Sequence, residues 1–226
     1  MRFNRRYFSV AVFALGVFAL QARASIIFDG SGTTVFQQTE NSPCVIGNMS
    51  CNQPTGFTAF QDANGASGQA TFYDFTSPVY QAITPFTAPG SYNGNKIPLS
   101  FTIGIDENIA AGQDAELLAF FKTLLCTDST GAVCVEVAAN SYVPGSPTVV
   151  PNINNGNGYS DALLTGFSLQ ANSYYRFEAR VNNDTDGMEQ FFVIPANTPA
   201  VPEPVTSTLI GTGLVGLFLV RRRIRG

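Results

Sequence analysis

The chain has 226 residues, 45% of them hydrophobic, with four cysteines and no histidine, so Ser-His-Asp and Cys-His catalysis are excluded. Its formal net charge of −4 conceals a division of sign: Arg2, Arg5, Arg6 and Arg23 at the start and Arg221, Arg222, Arg223 and Arg225 at the end leave Lys96, Lys122, Arg176 and Arg180 against fifteen acidic residues between Ser25 and Val201. The resulting charge of −11 on that segment repels phosphate backbones and favours divalent cations, which excludes nucleic acid as a partner.

Residues 1–6 carry three arginines, residues 7–20 are apolar, and Ala22-Arg23-Ala24 supplies a small-x-small cleavage pattern before Ser25. This predicts a secretory signal peptide over residues 1–24, removed by signal peptidase after Ala24. Residues 25–197 then form a single domain, rich in Gly, Asn, Ser, Thr, Phe and Tyr, whose apolar stretches are short and bounded by turn residues.

In chain order, strands are expected at residues 26–28, 33–36 and 57–60, and then at "ATFYDF", where Tyr73 and Phe75 oppose Phe72 and Asp74. "LSFTIGI" places Leu99, Phe101, Ile103 and Ile105 inward. "AELLAFFKTLLC" also suits a helix, but a run from Leu117 to a cysteine fits a buried strand. Strands at residues 133–138 and 163–169 follow, then "SYYRFEARV", with Tyr175, Phe177, Ala179 and Val181 on one face and a ladder of Arg176, Glu178 and Arg180 on the other, and lastly residues 190–194. Loops fall at residues 61–68, 85–98 and 142–161. Nine or so short strands require two packed sheets, which predicts an all-β, jelly-roll-like single β-sandwich without internal repeats.

The cysteines form two locally spaced couples, Cys44 with Cys51 and Cys126 with Cys134, and neighbour pairing is the expected disulfide connectivity in an oxidising compartment. Each short loop so closed contributes about 2–3 kcal/mol. Without histidine or a Cys-x-x-Cys spacing, zinc is a poor alternative. In "NNDTDGMEQ", Asn182, Asp184, Asp186 and Gly187 follow the opening of a calcium loop, with Glu189 as an additional ligand. The twelfth position, Val193, lacks the bidentate carboxylate, so a hairpin turn competes with a Ca²⁺ site; no other cofactor is expected. Asp106 and Glu107 are adjacent, point to opposite faces if on a strand, and are expected as solvated surface carboxylates, not as a glycosidase pair. Tyr80, Tyr92, Tyr142 and Tyr159 lie in or near loops, where they serve either as sugar platforms or as cover for a sandwich edge.

The chain closes with Pro202-Glu203-Pro204, an uncharged run over residues 205–220, and Arg221, Arg222 and Arg223. Sixteen helical residues span about 24 Å, short of the roughly 30 Å hydrocarbon core, with the arginines held on the cytoplasmic side. This ending, residues 198–226, resembles the PEP-CTERM sorting signal of Gram-negative bacteria. The resemblance implies recognition by an exosortase, transient anchoring in the inner membrane, and release or transfer to the cell surface or outside. It further implies association with exopolysaccharide and biofilm. The order "FTIGIDEN", "GNGYSDALLTGFSL" and "DGMEQFFVIP" is similar to that of other exported proteins bearing this signal, and adds no activity. The expectation is therefore a non-catalytic surface or matrix protein, with extracellular polysaccharide as a partner. A permanent anchor is the alternative for the tail, and a Ca²⁺-assisted carbohydrate-binding or adhesive module is the alternative for the domain.

Overall fold

The computed structural model describes residues 25–31, 39–47, 51–58, 72–107, 114–153, 159–183 and 189–196. The leader at 1–24, the strand expected at 33–36, the loop at 61–68 and the sorting segment at 198–226 lie outside these residues. Twelve strands run through the described parts: β1 Ile27–Asp29, β2 Cys44–Ile46, β3 Phe72–Thr76, β4 Tyr80–Ile83, β5 Lys96–Pro98 and β6 Ser100–Asp106. They continue as β7 Leu117–Cys126, β8 Cys134–Glu136, β9 Thr148–Val149, β10 Ala162–Ser168, β11 Tyr174–Asn182 and β12 Gln190–Pro195. Two short 3₁₀ turns, Gly90–Tyr92 and Ala138–Asn140, are the helical elements among the described residues.

The strands form two sheets. The five-stranded sheet is ordered β1-β10-β6-β12-β2, and the seven-stranded sheet β5-β4-β11-β7-β8, with β3 against β11 and β9 against β7. The β4–β5 pair is parallel and the other ladders are antiparallel. The chain crosses repeatedly between sheets, from β6 to β7, from β9 to β10, from β10 to β11 and from β11 to β12. The segment between Asn182 and Glu189 is therefore a crossover between sheets. β11 and β12, which flank residues 184–188, pair with different partners and do not form a hairpin with each other.

Alternation builds the shared core. Along β11, Tyr175, Phe177, Ala179 and Val181 are buried and the residues between them half-buried. On β6, Phe101, Ile103 and Ile105 are buried, with Leu99 packed at the edge of the same cluster. β7 is less regular: Leu118, Phe121 and Thr123 are buried, but Ala119 and Phe120 are both half-buried, and the register shifts opposite Arg180 and Val181. That bulge is why the run also fitted a helical pattern.

Between the sheets, Phe101 of β6 stacks on Phe167 of β10 at 4.9 Å between ring centroids. Phe121 of β7 lies 5.6 Å from Phe177 of β11, 5.7 Å from Phe167 and 5.4 Å from Phe191 of β12. These five rings join both sheets. A smaller cluster, Cys44, Cys51 and Phe192, sits over Gly104, where an added Cβ would meet the Phe192 ring at 2.4 Å.

Tyr80 and Tyr92 belong to this core, not to a sugar platform. Both are fully buried, and their hydroxyls donate to the Val45 and Asn41 carbonyls at 2.9 Å. Burial pushes both phenols above their ordinary value. Because the native values are raised, this contribution to stability is complete below about pH 10, the unfolded value, and falls as pH rises from there towards the native values. Spectrophotometric titration of the phenols near pH 11 is expected to ionise fewer tyrosines in the native chain than in urea, and Tyr80→Phe with Tyr92→Phe should remove the difference.

Candidate functional site

Both expected disulfides are present, Cys44–Cys51 and Cys126–Cys134, the second between residues directly opposite on β7 and β8. Of the four residues singled out for Ca²⁺, Asn182 ends β11 and Glu189 is fully buried before β12, whereas Asp184 and Asp186 lie outside the described residues. Among the described residues no group of three or more Asp, Glu or Cys side chains is placed to hold a metal ion. Pro202, Glu203, Pro204, Arg221, Arg222 and Arg223 also lie outside them. Among the described residues no helix is long and apolar enough to cross a membrane. Tyr142 is half-buried, stacked on Phe28 and hydrogen-bonded to Thr148, and Tyr159 is exposed.

Asp106 and Glu107 correct the expectation of solvated carboxylates: both are buried. Glu107 donates its N–H to Asp161 Oδ2 at 2.9 Å, and Asp161 Oδ1 accepts from the Ile153 N–H at 2.6 Å. Asp161 thereby ties the approach to β10 to the end of β6, drawing both carboxyls inside. Glu116, just before β7, and Glu189, just before β12, are buried at the same end of the sandwich, where β6 and β11 finish and β7, β10 and β12 begin. Acidic side chains are thus concentrated at one pole.

The basic residues are arranged differently. Outward positions on β11 are Tyr174, Arg176, Glu178, Arg180 and Asn182. Residues opposite in register share a face, so Phe120 and Lys122 of β7 and Phe72 and Asp74 of β3 stand beside them. β4 and β5 extend the same face, with Gln81 beside Tyr174 and Lys96 beside Gln81. All four basic residues between Ser25 and Val201 therefore stand on the outer face of the seven-stranded sheet. Among the described residues this face carries three carboxylates, Asp74, Glu136 and Glu178, so it is the part of an acidic domain where cations outnumber anions.

Two of the four cations are engaged by neighbouring strands. Arg180 forks onto Asp74 through Nε at 2.6 Å and Nη2 at 2.7 Å, and its guanidinium lies 4.4 Å from the Phe72 ring centroid and 5.5 Å from that of Phe120. Donating these hydrogen bonds to Asp74 raises the Arg180 pKa above its ordinary value. Lys122 lies 3.2 Å from Glu136 and 4.8 Å from the Phe120 centroid. The expected ladder through Glu178 is replaced by these pairs: Asp74 lies directly opposite Arg180, whereas Lys122 reaches diagonally to Glu136 although Glu178 is its register partner.

Lys96 and Arg176 form no ion pair among the described residues, and Arg176 Nε is buried without a hydrogen-bond partner. The Arg176 guanidinium is held under the loop between β7 and β8 at Gly131, whose φ of +67° and missing side chain allow the contact; a Cβ there would come within 2.5 Å of Nη2. In that loop the Asp128 carboxylate accepts from the hydroxyl and N–H of Thr130, which hold its pKa below the ordinary value. Next to these residues a shallow cleft of about 350 Å³ is lined by Leu125, Cys126, Thr127, Val135, Ser173 and Tyr174. Leu125 and Val135 stand on the opposite face of the sheet from Arg176, so the cleft lies at the strand ends beside Tyr174; what the outer face itself offers an anion is cations with aromatic rings among them. Nothing in the linear sequence marked this site, since its residues come from five separated strands, but the alternation of β11 already set Arg176 and Arg180 on the exposed side.

The Asp74–Arg180 pair is bidentate but exposed, and a double-mutant cycle with Asp74→Ala and Arg180→Ala is expected to give a coupling of about 1 kcal/mol, eroded by molar salt. Urea unfolding of the four proteins measures it; a coupling several times larger would show that the pair holds β3 in place.

The chain matches no protein-family model, no curated protein and no solved structure.

Proposed function

We propose that the protein is an exported, non-catalytic component of the cell surface or extracellular matrix, delivered by a signal peptide at residues 1–24 and sorted by an exosortase through residues 198–226. The observation that carries this reading is the joint occurrence of an N-terminal export signal, four cysteines all paired, and the Pro202-Glu203-Pro204 triplet followed by an uncharged run and Arg221, Arg222 and Arg223. Disulfides form and persist outside the reducing cytosol. The strand orders β10-β6-β12-β2 and β4-β11-β7-β8, with the chain crossing between them, support a jelly-roll-like sandwich as the exported body. Its partners during export are signal peptidase, the inner membrane and the exosortase, and afterwards extracellular polysaccharide.

Intact mass of the protein recovered from outside the cell tests the reading. A mass lacking residues 1–24 and everything after the triplet, and rising on reduction and alkylation by four modified thiols, is expected. Recovery of the unprocessed chain from the cytosol would overturn it, and a retained tail would make the segment a permanent anchor.

A second reading keeps the domain as a Ca²⁺-assisted adhesive module, supported by the complete burial of Glu189 at the acidic pole beside the Asn182–Asp184–Asp186 spacing. It predicts that Ca²⁺ raises the melting temperature in proportion to the logarithm of its concentration and gives a calorimetric binding isotherm lost in Glu189→Gln. A silent titration with no thermal shift removes it.

A further inference from the structure

We propose that the outer face of the seven-stranded sheet, at the end carrying Lys96, Tyr174 and Arg176, binds a carboxylated polysaccharide. The inference deepens the matrix reading above and rests on it for the source of the polymer.

Three observations lead there. The first is segregation of charge: a segment with a net charge of −11 has all four of its cations on one sheet face, so an anion meets attraction there and repulsion over much of the remaining surface. The second is the gradient along that face. From Tyr174 to Asn182 β11 runs about 26 Å. Its far end approaches the pole where Glu107, Glu116 and Glu189 are buried, while its near end carries the two cations without carboxylate partners among the described residues. The third is local chemistry. Tyr174 stands two strands from Lys96, with Gln81 of β4 between them, and two residues from Arg176 on its own strand. The exposed Lys96 ammonium attracts a carboxylate as a point charge, the Arg176 guanidinium, half-buried under Gly131, adds its positive field, and a phenol ring stacks on the C–H face of a sugar.

Charge density selects the polymer. A nucleic acid presents a charge about every 1.7 Å of its axis and demands a matching density of cations. Here four cations are spread over about 20 Å of strand, two of them already engaged by Asp74 and Glu136. An anionic bilayer likewise calls for a dense basic cluster, whereas a linear glycan with a carboxylate on every sugar or every second sugar asks only for spaced cations with aromatic surface between them.

The test is affinity electrophoresis and calorimetry of the full chain, held in mild detergent, with polygalacturonate as probe and dextran, duplex DNA and anionic vesicles as comparisons. Retardation by polygalacturonate at about 50 mM salt, lost at about 1 M, with none by dextran, is expected. Lys96→Gln and Arg176→Gln should each weaken binding about three- to five-fold, and Glu178→Gln, which removes a negative charge from the same face, should strengthen it. Lys96 is exposed, so its variant reports on binding even where Arg176→Gln lowers stability. The proposal falls if polygalacturonate does not retard the chain, if dextran does so equally, if DNA or vesicles bind more tightly, or if Lys96→Gln and Glu178→Gln leave the affinity unchanged. A chain found processed outside the cell but indifferent to polygalacturonate sinks this proposal and spares the export reading. An unprocessed cytosolic chain that binds does the reverse.

Discussion

The packing of five phenylalanine rings between the sheets is the constraint from which the rest follows. Phe101, Phe167 and Phe191 approach from one sheet and Phe121 and Phe177 from the other, with centroid separations between 4.9 and 6.0 Å. Removing one such ring from a core typically costs about 3–5 kcal/mol, a large part of a domain's net stability. Because side chains alternate along a strand, committing Phe177 and Phe121 to the interior also commits their neighbours: Arg176, Glu178, Phe120 and Lys122 have no choice but the outer face. The external chemistry of the seven-stranded sheet is thus a consequence of how its inner face packs. A slip of one residue would exchange the two faces along the whole strand.

The same logic separates the charges. Asp106, Glu107, Glu116, Asp161 and Glu189 stand at strand ends, where alternation stops, and all five are buried. Arg180 and Lys122 sit in mid-strand on the outer face, their charged heads over Phe72 and Phe120 and against carboxylates, while Lys96 opens β5 and Arg176 packs under Gly131. A modest number of charged residues, 12% of the chain, therefore produces a polarised body with an acidic pole and a cation-bearing face.

Much of this was legible in the sequence where periodicity is strict. β3 and β11 alternate cleanly, and on β11 the inward residues are those expected; on β6 Phe101, Ile103 and Ile105 are buried as expected, although burial is continuous from Ile103 to Asp106. β7 was ambiguous because its bulge places two consecutive half-buried residues at Ala119 and Phe120, which breaks the two-residue period. β2, β4, β5 and β9 were missed for a different reason: two to four residues carry too little pattern to separate a strand from a loop, and their pairing is supplied by long-range partners such as β12, β11 and β7. Burial of Asp106 and Glu107 was illegible because it depends on Asp161, more than fifty positions away, reaching back to the Glu107 N–H. The cation-bearing face was half legible: the outward direction of Arg176 and Arg180 follows from β11 alone, but bringing Lys96 and Lys122 beside them requires knowing which strands are neighbours.

Topology decides which way that face looks. The described chain enters through β1 and leaves through β12, and both belong to the five-stranded sheet, with Pro195 the last residue paired to it. Val201 and the sorting triplet follow Pro195 within a few residues of sequence. Whatever holds the C-terminus therefore pulls on the five-stranded layer, and the cations lie on the far side of the sandwich, across the phenylalanine core. Under the proposed function, attachment and recognition fall to opposite layers of the sandwich, and a tether leaving through β12 leaves the outer face of the seven-stranded sheet open to a polymer.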